Sequence, residues 1–265
     1  MIEITAAPEL FRTQLRDFFR KQTECYRKRI QKNRFIYSSS ERDGMIYFIE
    51  VGLVKLVLPT PEGKECLLAI RSAGEIFGEL SLSGQKSRLE TAIAMEDSTI
   101  KQIPIRSFVE AFKKESLLES LVQYLAVRNA EQQEVITAMA TSNSELRLAR
   151  TLLYLSRSLG KYASGGICIG QKISHLEFSE MIGTTRPRVG IFLKKFRDCG
   201  LISLTEERCL VVNQGEMERY IASATAAAAA SIPRCSSDKP ISANTMPENP
   251  PIDIVWNWFP EAPMA

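Results

Sequence analysis

Residues 172–203 read KISHLEFSEMIGTTRPRVGIFLKKFRDCGLIS. Around Gly183 the stretch divides into two short amphipathic runs, and glycine gives the backbone freedom that a sharp turn needs. In the first run Phe178 and Ile182 stand four residues apart, on one face of a helix. Thr184 or Thr185 is placed to cap the second run, and Pro187 falls in its first turn, where no amide donor is required. Val189, Leu193 and Phe196 form an inward stripe, leaving Thr185, Arg186, Arg188, Ile191 and Lys195 outward. No acid occurs from Thr184 through Arg197, whereas Arg186, Arg188, Lys194, Lys195 and Arg197 are basic. The pattern predicts a helix-turn-helix whose second helix enters a DNA major groove.

Residues at the start of such a helix reach base edges. Arg186 or Arg188 can engage guanine O6 and N7 together, worth roughly 1–3 kcal/mol of discrimination each. Thr184 and Thr185 suit phosphates, and Ser174, His175, Lys194 and Lys195 complete the expected DNA-contacting set.

Downstream, Ile202–Leu204 and Cys209–Val212 predict a β-hairpin wing. Upstream, residues 146–159 read as an amphipathic helix, followed by a glycine-bearing loop over 160–170. Further back, Leu118, Leu121, Leu125, Arg128, Gln132, Val135 and Met139 recur in steps of three and four. This heptad seam runs about thirty residues without a breaker and predicts a long helix that pairs across a homodimer.

From Phe35 to Pro104 the texture is β-rich. Strands are expected at Met45–Glu50, Leu53–Leu58, Glu65–Ile70, Thr91–Ala94 and Thr99–Ile103, between glycines, in a small antiparallel sandwich or barrel. The run Pro61-Glu62-Gly63-Lys64 reads as a hairpin turn. Residues 8–32 read as a helix carrying Leu10, Phe11, Leu15, Phe18 and Phe19, with the basic run Arg27 to Arg34 as a solvated face.

The fold class is therefore α+β. A β-roll is expected over 10–112, a dimerisation helix over 113–142 and a winged helix-turn-helix over 143–221. Residues 222–265 hold seven of the twelve prolines and read as a disordered tail. Both tryptophans lie there, in IVWNWF from Ile254, as a docking motif, an intramolecular latch or an unstructured end.

Composition narrows the function. With 265 residues and 45% apolar content there is room for two cores. A net charge of +3 is no polycation, so a nucleic-acid surface must be a local patch. The six cysteines show no ligand spacing and read as small structural residues; the single histidine, His175, cannot build a His-based metal site. Neither a metal site nor a catalytic residue is assigned, and with no Gly-rich phosphate loop and no nucleophile elbow an enzyme is not expected. No apolar run of ~18 residues and no secretory signal is present, so a cytoplasmic protein without membrane contact is expected.

The order β-roll, long helix, winged helix-turn-helix resembles the family of the bacterial cyclic-AMP receptor protein and the fumarate–nitrate regulator. The likeness covers roughly residues 10–213. It rests on MIYFIEVGLVKL from Met45, GEIFGELSL from Gly74, and the stretch quoted first. It implies a homodimeric transcription regulator on palindromic double-stranded DNA, with RNA polymerase as a further partner. In relatives that bind cyclic AMP, a GEL segment and an arginine cradle the phosphate; Gly78, Glu79, Leu80 and Arg88 match those positions.

The small pair that follows the arginine in those relatives is replaced by Leu89 and Glu90, and Gln132 and Gln133 stand where the ligand-facing Thr-Ser pair of the long helix would be. At ~5 Å and an effective dielectric near 20, Glu90 facing the site would repel an anion by about 3 kcal/mol. These departures weigh against a cyclic nucleotide and leave the effector open. An iron–sulfur cluster lacks its cysteines and a sensory haem its histidine. The alternative function is a cyclic-nucleotide-binding signalling module whose C-terminal helices contact a protein partner.

Overall fold

In the computed structural model, residues 6–230 are described, except 61, 62, 64, 164, 171 and 208. The elements are α1 (Ala6–Lys21), β1 (Tyr26–Ile30), β2 (Phe35–Tyr37), β3 (Met45–Val51), β4 (Leu53–Pro59), β5 (Glu65–Ser72) and β6 (Ile76–Phe77). A 3-10 turn (Glu79–Ser83), β7 (Thr91–Ala94), β8 (Ser98–Pro104), α2 (Ile105–Lys114), α3 (Leu118–Thr141) and α4 (Ser144–Leu159) follow. The chain continues through β9 (Lys161–Ala163), β10 (Gly166–Ile169), α5 (His175–Ile182), α6 (Arg186–Asp198), β11 (Ile202–Leu204), β12 (Leu210–Val212) and α7 (Gln214–Ala230).

Two four-stranded antiparallel sheets, ordered β1-β8-β3-β6 and β2-β7-β4-β5, build the β-roll. Tyr37, Tyr47, Ile49, Val54, Leu56, Phe77 and Ile100 fill the space between them. The first sheet packs its other face on α1, α2 and α3 through an aromatic cluster of Phe11, Phe18, Phe19, Phe48, Phe108 and Phe112. Such rings bury large areas and gain further from edge-to-face contact.

The second sheet is covered on both faces, which explains why β4 is apolar on both sides apart from Lys55. Val54 and Leu56 point into the roll, while Leu53 and Val57 join the core of the C-terminal domain with Leu67, Ile70, Phe178, Val189 and Phe196. Lys55 shares that second face and meets Glu177 of α5 at 3.3 Å. Helix α5 therefore rests on the β-roll of its own chain.

Several expectations are corrected. The predicted helix over 8–32 stops at Lys21, and Tyr26–Ile30 forms β1 against β8, pairing Tyr26 with Gln102 and Ile30 with Ser98. A strand partner about seventy residues away outweighs local helical periodicity. The loop expected over 160–170 contains the hairpin of β9 and β10. The expected dimerisation segment 113–142 is interrupted at residues 115–117, where Ser116 takes a left-handed backbone (φ 57°) between α2 and α3. The tail expected to be disordered from 222 is helical as far as Ala230. The tryptophan motif and the remainder of the tail lie outside the described residues, as does most of the 61–64 turn.

The heptad seam divides. Leu121 and Arg128 are buried against the β-roll, whereas Gln132, Val135 and Met139 are exposed. Two of the cysteines that read as small structural residues, Cys168 and Cys209, are joined in a disulfide. Among the described residues no helix is long and apolar enough to cross a membrane.

Candidate nucleic-acid interface and sensor cradle

Helix α5 begins with a capping box. Ser174 Oγ accepts from the Glu177 amide at 3.2 Å, and the Glu177 carboxylate accepts from the Ser174 amide at 2.9 Å. Ser174 is thus occupied within the protein. Gly183 ends the helix in the left-handed region at φ 61°, which makes the sharp turn into α6. Arg147 on α4 closes the corner: its Nε donates to the Ile182 carbonyl at 2.8 Å, and its Nη1 to the Ser142 carbonyl at 2.8 Å. No local motif marked Arg147, because its partner on α5 lies thirty-five residues away.

Thr185 is the cap residue of α6 but makes no side-chain capping bond, and Pro187 sits in the first turn. Val189 and Phe196 are buried. At 3.6 residues per turn the opposite side of the helix carries Pro187, Ile191 and Lys194. Ile191 is 65% exposed, and Thr185, Arg186 and Arg188 are exposed around it; Thr184 is half-buried. His175 is exposed at the start of α5, with its ring against Gly190.

Lys195 is placed differently from the expectation. It lies on the flank toward α4, where its Nζ meets Glu145 Oε1 at 2.6 Å, and Tyr220 of α7 donates to the same oxygen. The bond to Glu145 raises the lysine's pKa. Burial alone would push Glu145 up, but bonds from Lys195 and Tyr220 hold it below its ordinary value. Lys195 thus ties α6 to its supports rather than standing free among the outward residues. On the other flank a cleft of about 300 Å³ separates α6 from the wing, lined by Lys172, His175, Lys194, Arg197 and Leu204. Lys172 and Arg197 join the basic rim that the expected set omitted.

The cradle residues come together in the β-roll. Gly78 has φ 79°, and a Cβ there would lie 2.7 Å from Arg88 Nη1. Arg88 is buried and fully engaged at its amino groups. Nη1 donates to the Gly78 carbonyl (2.7 Å) and Ser81 Oγ (2.8 Å), while Nη2 donates to the Met45 carbonyl (2.5 Å) and the Asp43 carboxylate. The guanidinium lies over the Tyr37 ring at 4.4 Å and near that of Tyr47 at 5.3 Å. Glu79 is buried in an ion pair with Arg128 of α3 at 2.7 Å. Leu80 and the two glutamines, Gln132 and Gln133, are exposed, so Arg128 is the long-helix residue that meets the cradle.

Glu90 faces inward and accepts from Tyr37 Oη at 2.9 Å. Burial, then the nearby Glu79, raise its pKa. These residues do not fit a cyclic nucleotide phosphate. The arginine that would hold the anion already holds Asp43, the glutamate that would take the ribose hydroxyl holds Arg128, and a third carboxylate points inside.

Between cradle and α4 lies a second buried network. Glu75 meets Arg12 at 3.4 Å and Arg71 at 3.8 Å, and Tyr154 of α4 donates to Glu131 of α3 at 3.4 Å. Burial opposes the charge on Glu75, but Arg71 and Arg12 hold its pKa below the usual range.

Comparison with known proteins places these two sites in named modules. Residues 27–115 match the cyclic nucleotide-binding domain, and residues 146–220 match the Crp-like helix-turn-helix domain. The chain is 32% identical over 185 residues to the global nitrogen regulator of Synechocystis sp., covering 69% of this chain and 82% of that one. It is 28% identical over 202 residues to the transcriptional regulator LdrP of Thermus thermophilus, covering 76% of this chain and 100% of that protein. Among solved structures, a CRP-family transcriptional regulator from Thermus thermophilus superposes with a TM-score of 0.59 at 27% identity, over 74% of this chain and 96% of that one. A mutant of CooA from Carboxydothermus hydrogenoformans shares the fold, with a TM-score of 0.64 at 24% identity, over 75% of this chain and 88% of its own.

Proposed function

Because the chain belongs to the Crp/Fnr family of transcription regulators, we propose that it binds a palindromic DNA site as a homodimer, one α6 helix in each of two successive major grooves. The half-sites then lie about 34–36 Å apart, one duplex turn. The observation that carries this reading is the outward side of α6. Arg186, Arg188 and Lys194 stand there around Ile191, with no acid before Asp198.

Arg186 and Arg188 read guanine edges, Ile191 packs on a thymine methyl, and Thr185, His175, Lys172, Lys194 and Arg197 hold phosphates. The capping box, Arg147 and the Lys195–Glu145 pair fix the helix on its domain. Val122, Val135 and Ile136, exposed on α3, supply the apolar surface for the second copy. RNA polymerase is the further partner expected of a regulator bound at a promoter, and the protein works in the cytoplasm, where the DNA is. It catalyses no reaction.

The β-roll senses something other than a cyclic nucleotide, or acts without an effector, because its arginine and glutamate are satisfied from within. In vitro selection of binding sites, followed by gel retardation at two salt concentrations, tests the proposal. A two-fold symmetric consensus and a steep loss of affinity with salt are expected. Absence of any enriched symmetric site would overturn it.

A further inference from the structure

We propose that Cys168 and Cys209 form a redox site in the wing, taking low-molecular-weight thiols and disulfides of the glutathione class as exchange partners. Cys168 lies on β10 and Cys209 one residue before β12; their Cα atoms are 6.0 Å apart, inside the range that a disulfide spans, and the bond is made. Both residues are half-buried, so a small thiolate can reach them. Cys25, Cys66 and Cys199 are free.

The position of the bond gives it leverage. The 41-residue separation encloses all of α5, α6 and β11, so one covalent link brackets the whole helix-turn-helix. Cys209 also closes the β11–β12 hairpin, its amide donating to Thr205 Oγ and its carbonyl accepting from the Thr205 amide, both at 3.0 Å. The cystine therefore stitches the hairpin turn to β10, the strand that pairs with both β12 and β9. Leu204 and Leu210 of that hairpin form one wall of the cleft beside Lys194 and Arg197. Cystines in reducing compartments are mostly transient or sensing rather than permanent.

On oxidation the two thiols lose two protons and two electrons to glutathione disulfide, through a mixed disulfide, and two molecules of glutathione leave. Reduction by two glutathiones runs the same steps backward. The linked state holds the wing against α6 and favours DNA, a consequence that rests on the function proposed above; the reduced state lets the hairpin fray.

The test uses the full chain equilibrated in glutathione buffers of graded redox ratio, then trapped by alkylation. Peptide mass mapping is expected to find the Cys168–Cys209 linked peptide in oxidising buffers and its loss in reducing ones. The melting temperature should be about 10 °C higher in the linked form, the scale set by closing a loop of this length. Affinity for a selected duplex should fall severalfold on reduction. The Cys168→Ser/Cys209→Ser variant should melt like the reduced protein and ignore the redox ratio.

No linked peptide at any ratio, a link that persists in fully reducing glutathione, or equal melting and DNA affinity in both forms would each overturn the switch. A redox response surviving in the double variant would overturn it too, by assigning the response to another cysteine. If neither form retains any duplex, the DNA reading fails, while mapping and melting still decide the redox site.

Discussion

Arg128 of α3 reaches Glu79 of the β-roll at 2.7 Å, and both side chains are more than nine-tenths buried. The pair joins the sensor fold to the helix that leads toward the DNA-binding domain. Removing one partner strands a buried charge, a loss of about 3–5 kcal/mol. Glu79→Ala is therefore expected to lower stability by that order in urea unfolding. The double variant Glu79→Ala/Arg128→Met should be far less damaged than the sum of the single changes. Strict additivity would show that the two charges do not depend on each other.

Glu90 sets a pH dependence of definite sign. Burial and Glu79 raise its pKa above the ordinary 4.5, so the folded state takes up the proton more readily than the unfolded one. Its contribution to stability is complete below the ordinary pKa and is lost as pH rises through the raised value. Glu90→Gln keeps an acceptor for Tyr37 but does not titrate. The variant should melt above the parent at about pH 7, with the advantage shrinking toward about pH 4. Glu75, held below its ordinary pKa against burial by Arg71 and Arg12, slopes the other way, losing its contribution as pH falls. A Glu90→Gln advantage that is constant over this range would contradict the assignment.

The cradle should be indifferent to nucleotides. Titration calorimetry with cyclic AMP or cyclic GMP is expected to give no saturable heat at micromolar concentration, since Asp43 occupies the Arg88 amino group that a phosphate would need. Micromolar affinity for either would show that Asp43 is readily displaced.

Adjacent lysines on α6 should behave differently. Lys194→Ala is expected to weaken binding to all sequences and to lower the salt slope by about 1. Lys195→Ala removes a surface pair with Glu145, worth about 0–1 kcal/mol, and should leave the slope unchanged. Arg186→Ala should relax preference at one base position. Salt-dependent binding measurements and a repeated site selection separate these outcomes; equal salt slopes for the two lysine variants would mean that Lys195 leaves Glu145 for DNA.

The free end of α3 should govern assembly. Val135 and Ile136 are 54% and 66% exposed in the single chain. Val135→Asp/Ile136→Asp places charge in the surface assigned to the second copy, and sedimentation should report monomers with the helix content retained. Dimers of unchanged strength would move the interface elsewhere.

Sequence alone determined the elements whose cause is local. Cap, glycine turn and apolar stripe specify α5 and α6 within about thirty residues, and short apolar runs between turn residues specify β3, β4, β7 and β8, because side chains a few positions apart decide which face can be buried. Resemblance to the family, rather than local pattern, marked Gly78, Glu79 and Arg88 as a group, and the departures at Leu89 and Glu90. Only the tertiary structure decided what those groups touch. Asp43 on Arg88, Arg128 on Glu79, Glu145 on Lys195, Arg147 on Ile182, and the cystine joining Cys168 to Cys209 link residues from 35 to 50 positions apart. β1 likewise exists because β8 offers its hydrogen bonds. A charge or a thiol carries no record of its partner in its neighbours along the chain; burial and geometry choose that partner when the chain closes on itself.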